Sequence, residues 1–243
     1  MNPTLTIARR EFKSYFDSPL AYVVICLSLL LLGVRVFLWP RPFWQIERAS
    51  LSTMFEAMPW GLVLLIVPVV TMRLVAEEKR SGTLEMLITL PVRDSEVILG
   101  KFLGALGLVA VLILTTVLYP FLMFRVWRLG AIDLGPVLSG YMGVLLFSAA
   151  TVAVGLFIST LTDSQVIAFF VTFIVLLLFL LVGELGQFVP NALGSVLREL
   201  SIMEHFASFE RGTVETRDII FYSSFAVLAL LLAFRSLESR KWT

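Results

Sequence analysis

Six long apolar segments constrain the fold of this chain more than any other feature. A helix that crosses roughly 30 Å of hydrocarbon needs about 20 mostly apolar residues. The segments are continuous and lack two-residue alternation, so they predict helices rather than the strands of a barrel. The predicted spans cover residues 20–38, 58–75, 97–124, 137–161, 166–188 and 219–234.

The composition agrees with a chain that lives in lipid. Of its 243 residues, 58% are hydrophobic and 15% are charged, whereas a soluble domain has about a quarter of its residues charged. The net charge of +1 gives no reason to expect a nucleic-acid partner. The single cysteine, Cys26, excludes an internal disulfide. We therefore predict an all-α integral membrane protein with one transmembrane domain over residues 1–243.

The ends of the chain are expected on the cytoplasmic side. Six spans place both termini on one face, and 11 of the 19 Lys and Arg residues would then lie inside, against eight outside. The run from Leu20 to Leu38 is too long for a signal peptide and is read as a retained span. Residues 1–18 place Phe12, Tyr15 and Phe16 near one helical face with Arg9 and Lys13 elsewhere, which predicts an interfacial elbow helix.

The densest charged stretch, 73–101, separates the second span from the third. Ser81-Gly82 is expected to end the second helix, and Thr83 to cap a short amphipathic helix over 82–90. Such a helix can enter a groove on a soluble partner. The alternative from the residues alone is an ordinary loop with solvated charges.

Polar residues elsewhere carry weaker predictions. Glu184 and Arg35 lie at comparable depth in their spans, so an ion pair is conceivable. Asp163 is read as a turn or cap, and the lone His205 as a structural residue rather than a ligand. Pro68 predicts a kink in the second span. The segment 190–217 is expected to form either a re-entrant element or an amphipathic surface helix on the outer side.

Nothing in the sequence supports chemistry on this chain. No GxxxxGK[ST] phosphate loop, HExxH, CxxC or GxSxG pattern occurs. We therefore expect no catalytic, cofactor or metal site, although composition alone does not exclude a Ser-His-Asp hydrolase.

The run AEEKRSGTLEMLITLPV, followed by VILGKFLGAL, resembles the region after the second span of ABC-2 type transporter permeases. The opening REFKSYFDSPLAYVV and the stretch HFASFERGTVETRDIIFYSSF are similar in particular to the gliding-motility-type branch. This resemblance implies that 82–90 is a coupling helix and that a separate cytoplasmic ATPase holds ATP and Mg²⁺. It also implies a second permease chain, identical or homologous, an inner-membrane location and room for an extracytoplasmic accessory protein.

The sequence thus predicts a permease subunit that couples ATP hydrolysis on another chain to movement of an unidentified substrate. A non-transporting membrane anchor for a motility or secretion machine is the alternative, and a membrane-embedded enzyme is the weaker third reading. The predicted ATPase-coupling residues are Glu77, Glu78, Lys79, Arg80, Gly82, Thr83, Leu84, Glu85, Leu87, Ile88 and Pro91.

Overall fold

The computed structural model describes residues 2–38, 51–83, 93–125, 133–188, 194 and 199–239. Every regular element within these residues is helical, and six of the helices are long and apolar enough to cross a membrane. The predictions of an all-α chain and of six spans are confirmed. The candidate spans are Pro19–Phe37, Ser52–Arg80, Asp94–Leu122, Leu134–Leu161, Gln165–Gly186 and Thr216–Ser239.

The fourth span is the centre of the bundle. Of the residues in its most apolar window, 72% are buried, against 22% for the first, fifth and sixth spans. Its glycines explain the close packing, because a Cβ on Gly143 would lie 2.6 Å from Phe209 and one on Gly155 would lie 2.3 Å from Thr71 Oγ1. The first, fifth and sixth spans therefore lie at the periphery of the bundle, with most of their side chains at least partly exposed on its surface.

The second span is built from several short pieces. Helix Ser52–Gly61 runs into a π-helical turn, Leu62–Ile66, and then into helix Val67–Thr71. Pro68 has no N–H to donate, and the preceding turn widens so that Val67 N donates to Leu62 O. The irregularity expected at Pro68 is therefore a π-turn just before it.

A second interruption, which the sequence analysis did not predict, follows at Met72–Val75. The chain forms a turn there before the last helical piece, Ala76–Arg80. Gly82, two residues after this helix ends, then adopts φ 70°, a conformation that glycine tolerates best. Of the predicted coupling helix, only Gly82 and Thr83 fall within the described residues.

The N-terminal helix, Pro3–Asp17, packs along the beginning of the third span. A Cβ on Gly100 would lie 2.7 Å from Ile7, and one on Gly104 would lie 2.6 Å from Glu11 Cβ. Two glycines four residues apart thus create the groove that receives this helix. The third span consists of helices Asp94–Thr115 and Leu118–Arg125.

The region between the fifth and sixth spans contains helix Ile202–Glu210. Ser201 Oγ accepts a hydrogen bond from Glu204 N at its start, and Gly212 follows its end with φ 88°. Ser139 of the fourth span donates to Phe209 O, so this helix packs on the bundle at the N-terminal end of the fourth span. Whether it dips into a leaflet stays a prediction.

Candidate functional site

A buried lysine gathers two carboxylates at the base of the segment that joins the second and third spans. Lys101 Nζ lies 3.0 Å from Glu11 Oε1 and 2.7 Å from Glu78 Oε1, and the lysine side chain is only 2% exposed. Glu11 belongs to the N-terminal helix, Glu78 to the end of the second span, and Lys101 to the start of the third. We call these three residues the basal cluster.

The energetics of the basal cluster follow from its burial. A buried ammonium is tolerated only when it is paired and hydrogen-bonded, and both glutamate side chains are themselves just 16% exposed. Breaking a pair of this kind leaves an uncompensated buried charge, which typically costs about 3–5 kcal/mol. Glu78 Oε2 has no hydrogen-bond partner within the described residues, so the cluster is held mainly through Lys101.

Tyr15 supplies a second contact between the N-terminal helix and the second span. Its hydroxyl donates to Val70 O at 2.8 Å. Val70 O lies just before the Met72–Val75 turn, where Leu74 N donates to Thr71 O instead. Burial raises the pKa of Tyr15, and the nearby Glu11 raises it further, which keeps the phenol protonated and able to donate.

Ser159 of the fourth span satisfies the other side of the same turn. Val75 N and Ala76 N both donate to Ser159 Oγ at 3.1 Å. The interruption in the second span is thus completed by side chains from two other elements. A helix break whose backbone groups are satisfied from outside is stable, yet its geometry depends on where those elements lie.

Lys79 extends the network to the connection between the fourth and fifth spans. Its ammonium donates to Thr160 O, at the C-terminal end of the fourth span, and lies 3.8 Å from Asp163 Oδ1. A cation is favourable at a helix C-terminus. Asp163 lies in the Thr162–Ser164 connection, the position expected of a turn residue.

The predicted coupling residues divide into three groups. The side chains of Glu77, Glu78 and Lys79 contact other parts of this chain, with Arg73 Nε 3.1 Å from Glu77 Oε2. Arg80, Gly82 and Thr83 are exposed. The remaining five lie outside the described residues: Leu84, Glu85, Leu87, Ile88 and Pro91.

Sequence reasoning missed the roles of Glu11, Tyr15, Lys101 and Ser159. Lys101 carried the strongest unused signal, because an ammonium within the first turns of an apolar helix must find a partner.

A polar cavity of about 280 Å³ opens beside the basal cluster and is bordered by Arg10, Glu11, Glu78 and Lys101, among others. Among the described residues, no group of three His, Cys, Asp or Glu side chains is arranged to hold a metal.

A second buried polar cluster lies at the opposite end of the fourth span. Asp218 Oδ1 lies 2.7 Å from His205 Nδ1, and Asp218 Oδ2 accepts a hydrogen bond from Ser208. His205 Nε2 lies 3.0 Å from Glu199 O, a carbonyl that can only accept. Both ring nitrogens are therefore engaged, and the Ser208 hydroxyl points to the carboxylate rather than to the imidazole. This arrangement is not that of a nucleophilic triad. The contacts instead give His205 a structural role. We call Ser208, His205 and Asp218 the outer cluster.

Arg35 pairs with a residue that the sequence analysis did not consider. Its guanidinium lies 3.5 Å from Glu56 Oε2, which joins the end of the first span to the start of the second. The pair between Arg35 and Glu184 stays a prediction.

A comparison with protein families gives the arrangement its context. A family model described as "ABC-2 family transporter protein" matches residues 49–203, which is well over half of the 243 residues. This region includes the second to fifth spans together with Glu78, Lys101 and Ser159. A search of curated proteins found no match. The chain belongs to the ABC-2 family of transporter proteins, and it is a membrane component with six candidate spans.

Proposed function

We propose that this chain is the permease subunit of an ATP-binding cassette transporter and that it receives mechanical input through the segment between its second and third spans. Family membership implies a partner ATPase, on which ATP and Mg²⁺ would bind. The observation that carries the proposal is the basal cluster. Glu78 precedes the segment, Lys101 follows it, and Glu11 ties both to the N-terminal helix.

The basal cluster is suited to the transmission of force because it restricts the relative movement of the three elements that it joins. Two charged contacts on one buried ammonium oppose separation of the three elements that they join. Lys79 attaches the same end of the second span to Thr160 and Asp163. A push on the segment would therefore move the N-terminal helix, the third span and the end of the fourth span with it.

The interruption at Met72–Val75 provides a place where such a movement can be absorbed. Its backbone groups are held by Tyr15 and Ser159 rather than by a continuous helix. Displacing the N-terminal helix or the fourth span would change the geometry of this turn without breaking the backbone hydrogen bonds of a regular helix. We propose that the second span bends here while the basal cluster moves as a unit.

The coupling residues then take two roles. Exposed Arg80, Gly82 and Thr83, together with Leu84, Glu85, Leu87, Ile88 and Pro91, would contact the ATPase. Glu77, Glu78 and Lys79 would position that surface from within. Glu77, Glu78 and Lys79 are positioning residues, since the contacts described for their side chains are with other residues of this chain.

Several finer features remain predictions. Cytoplasmic termini rest on the distribution of Lys and Arg, and an interfacial N-terminal helix rests on the aromatic face of residues 1–18. The resemblance supports the inner membrane as location, a core of two permease chains, the gliding-motility-type branch and an extracytoplasmic accessory protein. The substrate is open.

Site-specific photocross-linking would test the proposal. A photoreactive residue at exposed Thr83 should yield an adduct with the ATP-binding subunit in membranes that contain the assembled complex. The matched control is Glu215, which is also exposed but lies between helix Ile202–Glu210 and the sixth span, and it should give no such adduct. An adduct only from Glu215, or reporter fusions that place Ser81 outside the membrane, would refute the proposal.

A second experiment separates transport from a scaffold role. In the assembled complex, Glu78→Lys combined with Leu87→Asp should detach the ATPase or make its hydrolysis independent of the permease, while insertion into the membrane stays normal. If the ATP hydrolysis rate of the complex responds neither to the wild-type permease nor to the double variant, the result would favour the alternative, a non-transporting membrane anchor.

A further inference from the structure

An apolar cavity of about 400 Å³ lies between the first, second and third spans, away from the basal cluster. Its walls include Leu32, Leu65, Ile66, Leu112 and Ile113. Arg35 and Glu56 lie at one end, where the first span ends and the second begins. The space is therefore apolar along most of its walls and charged where Arg35 and Glu56 lie.

The hydroxyl groups deeper in this cavity do not need a water molecule as a hydrogen-bond partner. Ser28 Oγ donates to Val24 O at 2.5 Å, and Thr116 Oγ1 donates to Ile113 O at 2.6 Å. A buried water needs two to four polar partners, and hydroxyls that bond to their own helix supply few. An apolar occupant fits the walls, since an empty space would forfeit its dispersion contacts.

The surroundings of the opening indicate what that occupant is. Leu31 and Leu64, which also line the cavity, are 52% and 41% exposed. In a membrane-spanning bundle these side chains face hydrocarbon, so acyl chains are the molecules present at the opening. A Cβ on Gly61 would meet nothing within 4 Å, which shows that the helix leaves open space at this wall.

The ion pair at the charged end matches one kind of headgroup. Arg35 and Glu56 side chains are 30% and 57% exposed and carry opposite charges 3.5 Å apart. A phosphate could contact the guanidinium while a primary ammonium contacts the carboxylate. A headgroup with only negative charge would gain the first contact and be repelled by Glu56.

We propose that this cavity binds one acyl chain of a zwitterionic phospholipid with a primary amine, whose headgroup bridges Arg35 and Glu56. The site is separate from the coupling surface and does not depend on an ATPase partner. It makes a membrane lipid a specific ligand of the first three spans.

Native mass spectrometry of the detergent-purified chain with added phosphatidylethanolamine and phosphatidylglycerol would test the site. Wild type should retain phosphatidylethanolamine in preference to phosphatidylglycerol. Gly61→Leu should fill the cavity and lower the retained fraction about tenfold, as the loss of buried apolar contact implies. Gly61→Ala is the matched control and should retain lipid like the wild type. Glu56→Gln should abolish the preference between the two lipids, because it removes the carboxylate that contacts the ammonium and repels the anionic headgroup.

Three results would overturn the proposal: no lipid retained by wild type, wild-type retention by Gly61→Leu, or an equal or greater retention of phosphatidylglycerol. If Gly61→Leu does not give a monodisperse protein, Leu31→Trp blocks the same opening from its exposed side. Retention by that variant at the wild-type level would overturn the proposal equally.

Discussion

The two buried polar clusters of this bundle differ in what they connect. The basal cluster joins residues that are 23 and 90 positions apart in sequence. The outer cluster joins residues that are 10 and 13 positions apart, on consecutive helices. Burial is similar, with side chains of Lys101 and Asp218 at 2% and 5% exposure. This difference shows that the buried polar side chains at one end of the fourth span join helices that are distant in sequence. Those at the other end hold together two consecutive helices and the connection between them.

The largest expected effect comes from removing the charge at the centre of the basal cluster. Lys101→Met should lower the free energy of unfolding by about 3–5 kcal/mol, because Glu11 and Glu78 are left buried without their cation. Denaturant titration in mixed micelles would measure it. Arg235→Met is the control, since its pair with Glu238 is exposed at 77% and 39% and should change stability by about 0–1 kcal/mol. Equal effects would contradict the contrast between buried and surface pairs.

The next effect concerns the groove that brings Glu11 to Lys101. Gly104→Ala should destabilise by about 1–3 kcal/mol, because the new methyl would overlap Glu11 Cβ and approach Ala8 O at 3.1 Å. Gly61→Ala has open space and should be neutral or stabilising, since alanine is the better helix former. The same unfolding titration compares them. A destabilised Gly61→Ala beside an unaffected Gly104→Ala would show that the groove is misplaced.

A comparable stability loss at the outer cluster should leave coupling intact. Asp218→Asn weakens the contacts of His205 and Ser208 with this residue, and we expect a cost of about 1–3 kcal/mol. The ATP hydrolysis rate of the assembled complex should stay at the wild-type level. If Asp218→Asn made that rate independent of the permease, the proposed division between the two ends would fail.

The smallest effect is a pH dependence of stability that arises from Glu210, the last residue of helix Ile202–Glu210. Burial, together with the carboxylate of Glu56, raises the pKa of Glu210, while Arg211 opposes the shift. The folded state then favours the protonated form, so this contribution to stability is complete below the pKa of the unfolded carboxyl. It is lost as pH rises through the pKa of the folded state.

Glu210→Gln should consequently raise the melting temperature slightly at neutral pH and flatten its dependence on pH on the acidic side. Melting curves at a series of pH values would measure this. A variant that melts below the wild type at neutral pH would show that Glu210 is stabilising in its ionised form.

Much of the fold was predictable because lipid imposes a simple length rule. Continuous apolar runs gave six spans, and Ser81-Gly82 correctly marked the end of the second helical segment. The interruption at Met72–Val75 was not predictable, since it depends on Tyr15 and Ser159, which are distant in sequence. Turns that are completed by remote side chains leave little local signal.

The site was predicted only in its general place. The charge density of residues 77–80 drew attention to the end of the second span where the basal cluster lies, but it did not predict the direction of each side chain. Glu78 and Lys79 turn inward because Lys101 and Thr160 lie there. A similar limit applies to Arg35, since its partner Glu56 lies beyond the next connection in the sequence.

The central claim is that contact between positions 78 and 101 carries movement from the coupling segment into the bundle. Exchanging the two charges in a Glu11→Gln background tests it most directly, because Glu78→Lys with Lys101→Glu then keeps the pairing of positions 78 and 101 without placing a second carboxylate 3.0 Å from Glu11. We predict that either single change in this background uncouples ATP hydrolysis by the assembled complex from the permease and that the double exchange restores the rate of Glu11→Gln alone. Wild-type rates in both single variants, or a double exchange no better than the worse single, would contradict the account.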